Sequence, residues 1–224
     1  MNRPINHPIK SFVNRHRRLT ESQANAFKQH SHLLLPESAP IVLSDAFAKP
    51  QPLVVEIGFG NAEAFVSMAE QIQDHNFIGI EVHPPGVGQA LRLIAEKELA
   101  NVRVLQADAM QVLLKCLPEC SVDRVNLFFP DPWPKKRHHK RRIMRPLFLQ
   151  LLRRVMVPGA YLHFATDWQP YVIWVRELLD ETDGFTEVPY QFERLPRFHT
   201  KFEARGERLG HDVSDLAIQF SMTN

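Results

Sequence analysis

The chain has 224 residues, of which 44% are hydrophobic, and its 27 Lys and Arg residues nearly balance 25 Asp and Glu residues. This length and composition predict one large domain with a full hydrophobic core. No apolar run approaches the roughly 18 residues of a membrane-spanning helix, and the first residues lack the apolar centre of a signal peptide, so we expect a cytoplasmic protein.

Basic residues are concentrated in two segments. Residues 135–142 contain six Lys or Arg and no acid, and the first 28 residues contain a second basic cluster in which Glu21 is the single acid. Such clusters gain free energy on nucleic acid by releasing condensed counterions, although a solvated face is the alternative interpretation of any basic run. Because the rest of the chain is acidic, we interpret the two clusters as a footprint for phosphates.

The first 50 residues, which Pro36, Pro40 and Pro50 interrupt, are predicted to form a basic N-terminal arm and linker. Residues 51–224 are predicted to form the main domain, in which short apolar runs alternate with amphipathic stretches. Strands are expected at 53–57, 77–81, 102–106, 124–129 and 160–166, and helices at 63–71, 87–97, 109–117, 146–156 and 170–182.

This alternation predicts parallel strands joined by right-handed crossovers, and hence a doubly wound, mostly parallel α/β sheet covered on both faces. Pro158 and Gly159 mark the turn before the fifth strand. After Gly184 the pattern changes, and segments 185–188, 200–208 and 213–220 are expected to close the sheet as antiparallel strands.

Acidic residues stand at the ends of four successive predicted strands. Glu56 precedes the turn Gly58-Phe59-Gly60, Glu81 ends the second strand, and Asp108 and Asp131 follow the third and fourth strands. Ligands of open α/β sheets bind beyond the carboxyl ends of the strands. A single acid of this kind is most simply a loop carboxylate or a helix cap, but four together favour a ligand site.

The glycine turn is shared by dinucleotide sites and S-adenosylmethionine sites. A pyrophosphate prefers a helix N-terminus without nearby negative charge, whereas Glu56 and Glu63 flank this turn. S-adenosylmethionine carries a sulfonium and an ammonium and no phosphate, so the acids favour it as the cofactor. The expected contacts are Glu81 with the ribose hydroxyls, Asp108 with the adenine amine, and Gly58 and Gly60 with the methionine part.

Asp131 lies between Pro130 and Pro132, directly before the basic run. Each proline fixes its own φ and biases the residue before it away from helix, so a stiff loop presents this carboxylate. Trp133 either lines the pocket, stacks on a base or packs in the interior.

No metal site is expected. The cysteines at 116 and 120 are interpreted as unpaired structural thiols, because no second pair completes a zinc site.

Together these motifs resemble those of the bacterial tRNA (guanine-N7-)-methyltransferases, which modify the variable-loop guanine at conventional position 46. The Pro-Asp-Pro-Trp loop with its basic run, and Thr-Lys-Phe-Glu at 200–203, are its most specific motifs. The segments that carry the resemblance are 11–13, 18–20, 56–60, 79–83, 128–142, 165–168 and 200–211.

This resemblance implies a class I methyltransferase with a seven-stranded Rossmann-like sheet, with S-adenosylmethionine as cofactor and tRNA as partner, either as a monomer or as a homodimer. Asp131 is implied as the catalytic residue, and cofactor contacts are implied for Glu56, Glu81, Asp108 and Asp131. Substrate contacts are implied for Lys135, Asp167, Thr200, Lys201, Phe202 and Glu203. RNA contacts are implied for Arg137, His138, His139, Lys140, Arg141 and Arg142.

The chain departs from the family pattern at two positions. Ala62 stands where many relatives have a third glycine, and Pro85 stands where a basic residue is more usual. Three alternatives stay open: a methyltransferase for exocyclic amines, whose Asp/Asn-Pro-Pro-aromatic loop follows the same strand; a nucleic-acid-binding protein without activity; and a nicotinamide oxidoreductase, which the acids around the glycine turn disfavour.

Overall fold

The computed structural model describes residues 10–12, 18–191, 197–198 and 212–222. Its strands are β1 (Leu53–Ile57), β2 (Asn76–Glu81), β3 (Val102–Gln106), β4 (Val122–Phe128), β5 (Met156–Thr166), β6 (Phe185–Val188) and β7 (Ser214–Phe220). Its helices are α1 (Glu21–Gln29), α2 (Leu43–Ala46), α3 (Glu63–Gln71), α4 (Pro84–Glu96), α5 (Ala109–Lys115), α6 (Pro146–Val155) and α7 (Gln169–Asp180). Two 3-10 helices lie at Ser31–Leu33 and Lys136–Arg141.

The strands form one seven-stranded sheet in the order β3-β2-β1-β4-β5-β7-β6. The five strands from β3 to β5 pair in parallel, and β7 runs antiparallel to both β5 and β6. The predicted doubly wound, mostly parallel sheet is therefore confirmed. Chain order reverses between β1 and β4, so the carboxyl ends of these two strands border the crevice in which such sheets bind ligands.

Helices cover both faces of the sheet. One apolar cluster joins alternate β1 residues such as Val55 to α5, α6 and α7, and the other joins Val54 to α3 and α4. All five residues of β1 are buried. Burial on both faces explains why the central strands are continuous apolar runs.

Several elements begin at a different residue from the one predicted. Strand β5 begins at Met156 and continues through Pro158 and Gly159, where its register against β4 shifts. The Pro-Gly pair therefore forms an irregularity inside the strand instead of a turn before it. Helix α4 begins at Pro84. A proline is well suited to the first turn of a helix, because the N–H that it lacks would have no partner there.

The predicted arm contains a helix that packs on the main domain. Thr20 and Gln23 form a capping box at the start of α1, and α1 packs against α4. The contact is close at Gly88, where an added Cβ would lie 2.9 Å from Gln23 Cβ. Further along, the Leu35 amide donates to Val104 O at 2.9 Å and so covers the outer edge of β3. The domain boundary at residue 50 stays a prediction.

The predicted strand at 200–208 lies outside the described residues. Within the described ranges, no helix is long and apolar enough to cross a membrane. In the same part of the chain, no group of three or more His, Cys, Asp or Glu side chains could hold a metal ion.

Candidate active site

A cavity of about 620 Å³ lies at the carboxyl ends of β1, β2 and β4. Gly58, Gly60, Glu81, Asp108 and Asp131 all line it. Five of the six residues predicted to contact the cofactor therefore surround one space, because parallel strands deliver their ends to the same edge of the sheet.

Glu81 is held by backbone amides. Its Oε1 accepts from the amides of Val82 and His83 at 2.7 and 2.9 Å, and its Oε2 accepts from the Gly60 amide at 3.0 Å. The residue as a whole is 6% exposed. Oε2 accepts only one of these bonds and retains lone-pair capacity for a further donor, so the side chain is oriented in advance for a hydroxyl group in the cavity.

The glycine turn approaches the start of α4 closely. A Cβ on Gly86 would lie 2.2 Å from Gly60 O, so this crossing excludes any larger residue. Gly58, Gly60 and Ala62 have φ values of 76, 61 and 65°. Ala62 thus adopts a left-handed conformation that a glycine would adopt without strain.

Asp108 combines two roles that the sequence left as alternatives. Its Oδ1 accepts from the Met110 amide at 3.0 Å, which caps α5. The same residue lines the cavity. A capped helix start thus fixes this carboxylate beside the ligand space.

Glu56 does not line the cavity. Side chains alternate along a strand, so Glu56 shares the Val54 face of β1, whereas Ile57 faces the cavity. Glu56 is 5% exposed, and burial raises its pKa to about 7, although a hydrogen bond from Asn126 and the charge of Arg124 lower it. The predicted direct cofactor contact from Glu56 therefore has no support in this geometry.

The described cavity lining contains no Lys or Arg. Its charged or ionisable side chains are Glu63, Glu81, His83, Asp108 and Asp131. Such a lining suits a cationic, phosphate-free ligand and opposes a pyrophosphate. The buried Asn61 Nδ2, which has no hydrogen-bond partner among the described atoms, offers a donor at the same cavity.

The loop that carries Asp131 is strained on both sides of it. Phe129 and Trp133 have φ values of 48 and 46°, a region that aromatic residues rarely adopt unless the surroundings hold them there. The Phe129 amide donates to Ala165 O at 2.8 Å, and this bond fixes the start of the loop. Asp131 itself is exposed at the cavity rim.

Trp133 joins the loop to two other segments. Its Nε1 lies 3.4 Å from Ser11 O, and the Arg141 guanidinium lies 4.7 Å from its ring centroid. Ser11, Phe12 and Gln23 of the arm also line the cavity. The sequence signal for this contact was the Ser-Phe pair at 11–12, whose role the prediction did not specify.

The basic run forms the 3-10 helix Lys136–Arg141 beside the Asp131 loop. Lys135, Arg137 and Lys140 are exposed, whereas His138, His139 and Arg141 are partly buried. Arg142 differs, because its side chain is only 2% exposed. Five of the six predicted RNA contacts thus reach the surface, and the Arg142 guanidinium is not accessible to a phosphate.

A family model described as "putative methyltransferase" matches residues 50–216. A tRNA (guanine-N(7)-)-methyltransferase of Nitrosococcus oceani is 41% identical over 221 residues, covering 96% of this chain and 92% of that protein. The protein of the same name from Chromohalobacter salexigens is 45% identical over 217 residues, covering 93% of this chain and 88% of that protein. The chain belongs to the tRNA (guanine-N(7)-)-methyltransferase family.

Solved structures agree on the fold of this family member. The 16S rRNA methyltransferase KamB superimposes with a TM-score of 0.59 at 16% identity, covering 80% of this chain and 93% of that chain. A 16S rRNA adenine methyltransferase from Catenulisporales acidiphilia, solved with its cosubstrate, gives 0.57 at 16% identity, with 81% and 91% covered. At this identity the likeness supports the class I methyltransferase fold alone.

Among the remaining predicted substrate residues, Asp167 is the one that the structure describes. Asp167 directly follows β5 and is partly buried. Thr200, Lys201, Phe202 and Glu203 lie outside the described residues. Their roles stay predictions.

A buried polar chain crosses the sheet beneath the site, and nothing in the sequence pattern indicated it. Arg124 Nη2 lies 3.2 Å from His163 Nδ1, and His163 Nε2 lies 2.7 Å from Asp215 Oδ1. Because Arg can only donate, Nδ1 accepts and Nε2–H donates to the carboxylate. Burial lowers the pKa of His163 to about 4, although the bond to Asp215 opposes the shift.

Proposed function

We propose that this protein transfers a methyl group from S-adenosylmethionine to N7 of a guanine in tRNA, the variable-loop guanine at position 46, and forms 7-methylguanosine. The observation that carries the proposal is the adjacency of two unlike surfaces. A cavity lined by carboxylates opens at Asp131, and the basic 3-10 helix begins five residues later. The first suits a cationic cofactor and the second suits a polyanion.

We assign cofactor binding to residues that have a hydrogen-bond acceptor, or open backbone, available at the cavity. S-adenosylmethionine supplies an electrophilic methyl group on sulfur when it is bound. Glu81 would accept from the ribose hydroxyls, and Asp108 would accept from the adenine amine. The open turn at Gly58 and Gly60 leaves backbone room for the methionine part, and no Cβ narrows it.

The chemistry requires orientation more than proton transfer. Guanine N7 carries a free lone pair, so no base has to deprotonate it, and alignment of the reacting atoms can supply up to about 7–11 kcal/mol. As N7 becomes alkylated, the purine becomes cationic and its N1–H and N2–H become stronger donors. A carboxylate that accepts from this edge therefore stabilises the transition state more than the ground state.

Asp131 is the residue we assign to that role. Pro130 and Pro132 restrict its backbone, and its exposed carboxylate lies at the rim where the cavity meets the basic surface. Asp167, which follows β5 at the same edge of the sheet, is assigned as a second acceptor for the base.

RNA binding is assigned to three exposed cations around this rim and to the partly buried Arg141. Lys135, Arg137, Lys140 and Arg141 lie on or next to the basic 3-10 helix. Arg141 also packs on Trp133, which places one cation beside the Asp131 loop. A cytoplasmic location, where tRNA is available, is part of the proposal.

The test is to incubate the protein with labelled S-adenosylmethionine and an unmodified tRNA transcript, and to identify the labelled nucleoside after digestion. A transcript with adenine in place of the variable-loop guanine is the matched control. We expect label in 7-methylguanosine, and loss of that label in the control transcript. Label in an N-methylated exocyclic amine would overturn the assignment in favour of an amine methyltransferase.

A further inference from the structure

Arg142 ends the basic run but lies inside the protein. Its guanidinium carbon is 4.8 Å from the ring centroid of Tyr171 and 5.0 Å from that of Trp174. The cation is therefore held between two aromatic rings of α7. Arg137 of the same run is instead exposed.

Two polar contacts complete this environment. Arg142 Nε donates to Pro132 O at 2.9 Å, and Nη2 lies 3.2 Å from His139 Nε2, which must accept because a guanidinium only donates. Pro132 directly follows Asp131. The cation thus holds the carbonyl one residue away from the proposed catalytic carboxylate.

The loop needs external support at this point. Phe129 and Trp133, which bracket Asp131, have left-handed φ values, and side chains of this size are strained in that conformation unless the surroundings hold them there. The bond from the Phe129 amide to Ala165 O fixes one end of the loop. The bond from Arg142 to Pro132 O fixes the other end.

We propose that Arg142 is a positioning residue for the Asp131 loop and not an RNA contact, since its guanidinium is bonded to Pro132 O and enclosed by Tyr171 and Trp174. The kinetic part of this inference rests on the proposed function, because the position of Asp131 matters through methyl transfer. The structural part, the order of the loop beside the cavity, does not depend on it.

The test compares Arg142→Lys with Arg137→Ala in the full-length protein. Lysine keeps the charge, but it lacks the planar guanidinium that bonds Pro132 O and His139 Nε2 at the same time. We expect Arg142→Lys to lower the single-turnover methylation rate at saturating tRNA by about 100-fold, as a displacement of about 1 Å at a reacting group does. Its tRNA affinity and salt dependence should match the wild type, whereas Arg137→Ala should lower both.

The opposite pattern would overturn the inference: weaker tRNA binding and a smaller salt slope for Arg142→Lys, with the saturated rate preserved. Trp174→Leu provides a second route, because it removes one ring around the guanidinium without changing any charge. We expect the same fall in rate with unchanged tRNA affinity. An unchanged rate in Trp174→Leu contradicts the proposal even if Arg142→Lys does not fold.

Cofactor affinity separates failure of this inference from failure of the proposed function. Asp131 lines the cavity, so loosening its loop should weaken S-adenosylmethionine binding severalfold in calorimetry, and Arg137→Ala should not. If the wild type methylates no tRNA, the proposed function fails, but this binding comparison still decides the role of Arg142. Equal cofactor affinities for wild type and Arg142→Lys would count against it.

Discussion

Asn126 Nδ2 donates to Glu56 Oε2 at 3.2 Å inside the sheet, between neighbouring positions of β4 and β1. Asn126 Oδ1 is occupied by Arg124 Nε at 2.6 Å, which fixes the orientation of the amide. Glu56 therefore receives one neutral donor in an apolar setting. This single bond does not offset the cost of burying the charge, which is why the pKa of Glu56 rises to about 7.

This raised pKa predicts a pH-dependent stability. The ordinary value is 4.5, so between about pH 4.5 and 7 the folded protein holds a proton on Glu56 that the unfolded chain has lost. Glu56 then stabilises the fold below this window, and the contribution is lost as pH rises through it. The slope from this group is about 1.4 kcal/mol per pH unit.

Glu56→Gln should remove that slope, because glutamine keeps an acceptor for Asn126 and does not titrate. Urea unfolding of both proteins between pH 4.5 and 8 provides the measurement, and the difference between them cancels His163, whose lowered pKa acts in the opposite direction. Glu177→Gln on the exposed side of α7 is the control. A constant difference across this range would show that Glu56 is ionised throughout.

The ion pair between Arg197 and Asp215 predicts strong energetic coupling. Arg197 Nε and Nη2 lie 2.8 and 3.0 Å from the two Asp215 oxygens, and both side chains are at least four-fifths buried. Burial raises the pKa of Asp215, but its bonds to His163 and Arg197 outweigh that effect and lower it. Asp215→Asn should cost about 3 kcal/mol of unfolding free energy, because it removes the negative charge that faces a buried cation.

The double variant Arg197→Met/Asp215→Asn tests this coupling. We expect it to be less destabilised than the sum of the single variants by roughly 1–3 kcal/mol in denaturant unfolding. Additive effects would indicate that the pair contributes nothing beyond packing.

Asn61 is expected to bind the cofactor. Its Nδ2 is buried at the cavity without a hydrogen-bond partner among the described atoms, and such a donor favours an acceptor on a ligand. Asn61→Ala should raise the KM for S-adenosylmethionine about tenfold, since one hydrogen bond contributes about 1–1.5 kcal/mol, with kcat little changed. Gln89→Ala, another lining residue, is the comparison, and an unchanged KM in Asn61→Ala would refute the contact.

Asp131→Asn tests the proposed transition-state contact. Asparagine retains an acceptor but loses the charge that a cationic purine favours, so we expect kcat to fall by at least 100-fold while tRNA affinity stays within about twofold. Single-turnover methylation and filter binding measure the two quantities. A variant that keeps most of its turnover would remove Asp131 from the catalytic role.

The cations of the basic run predict a salt-dependent affinity for tRNA. Replacement of Arg137, Lys140 and Arg141 by alanine should flatten the plot of log affinity against log salt by roughly 0.7–0.9 per cation that neutralises a phosphate. Lys115→Ala, an exposed cation at the end of α5, is the matched control. A slope equal to that of the wild type would place the RNA elsewhere.

The sequence by itself determined the elements and the end of the sheet where the site lies. β1, β3, β6 and α3 have the predicted bounds, because hydrophobic period and helix signals are local properties of the chain. Glu81, Asp108 and Asp131 line one cavity as expected, because parallel topology alone brings strand ends together.

The tertiary structure decided which of several similar residues turns inward. Arg142 belongs to a run of like cations, and what encloses its guanidinium is Tyr171 and Trp174, about 30 residues later in the chain. Glu56 was assigned to the cofactor with the other strand-end acids, yet β1 turns it beneath the cavity to Asn126. Such choices depend on burial against distant elements, and no local pattern carries that information.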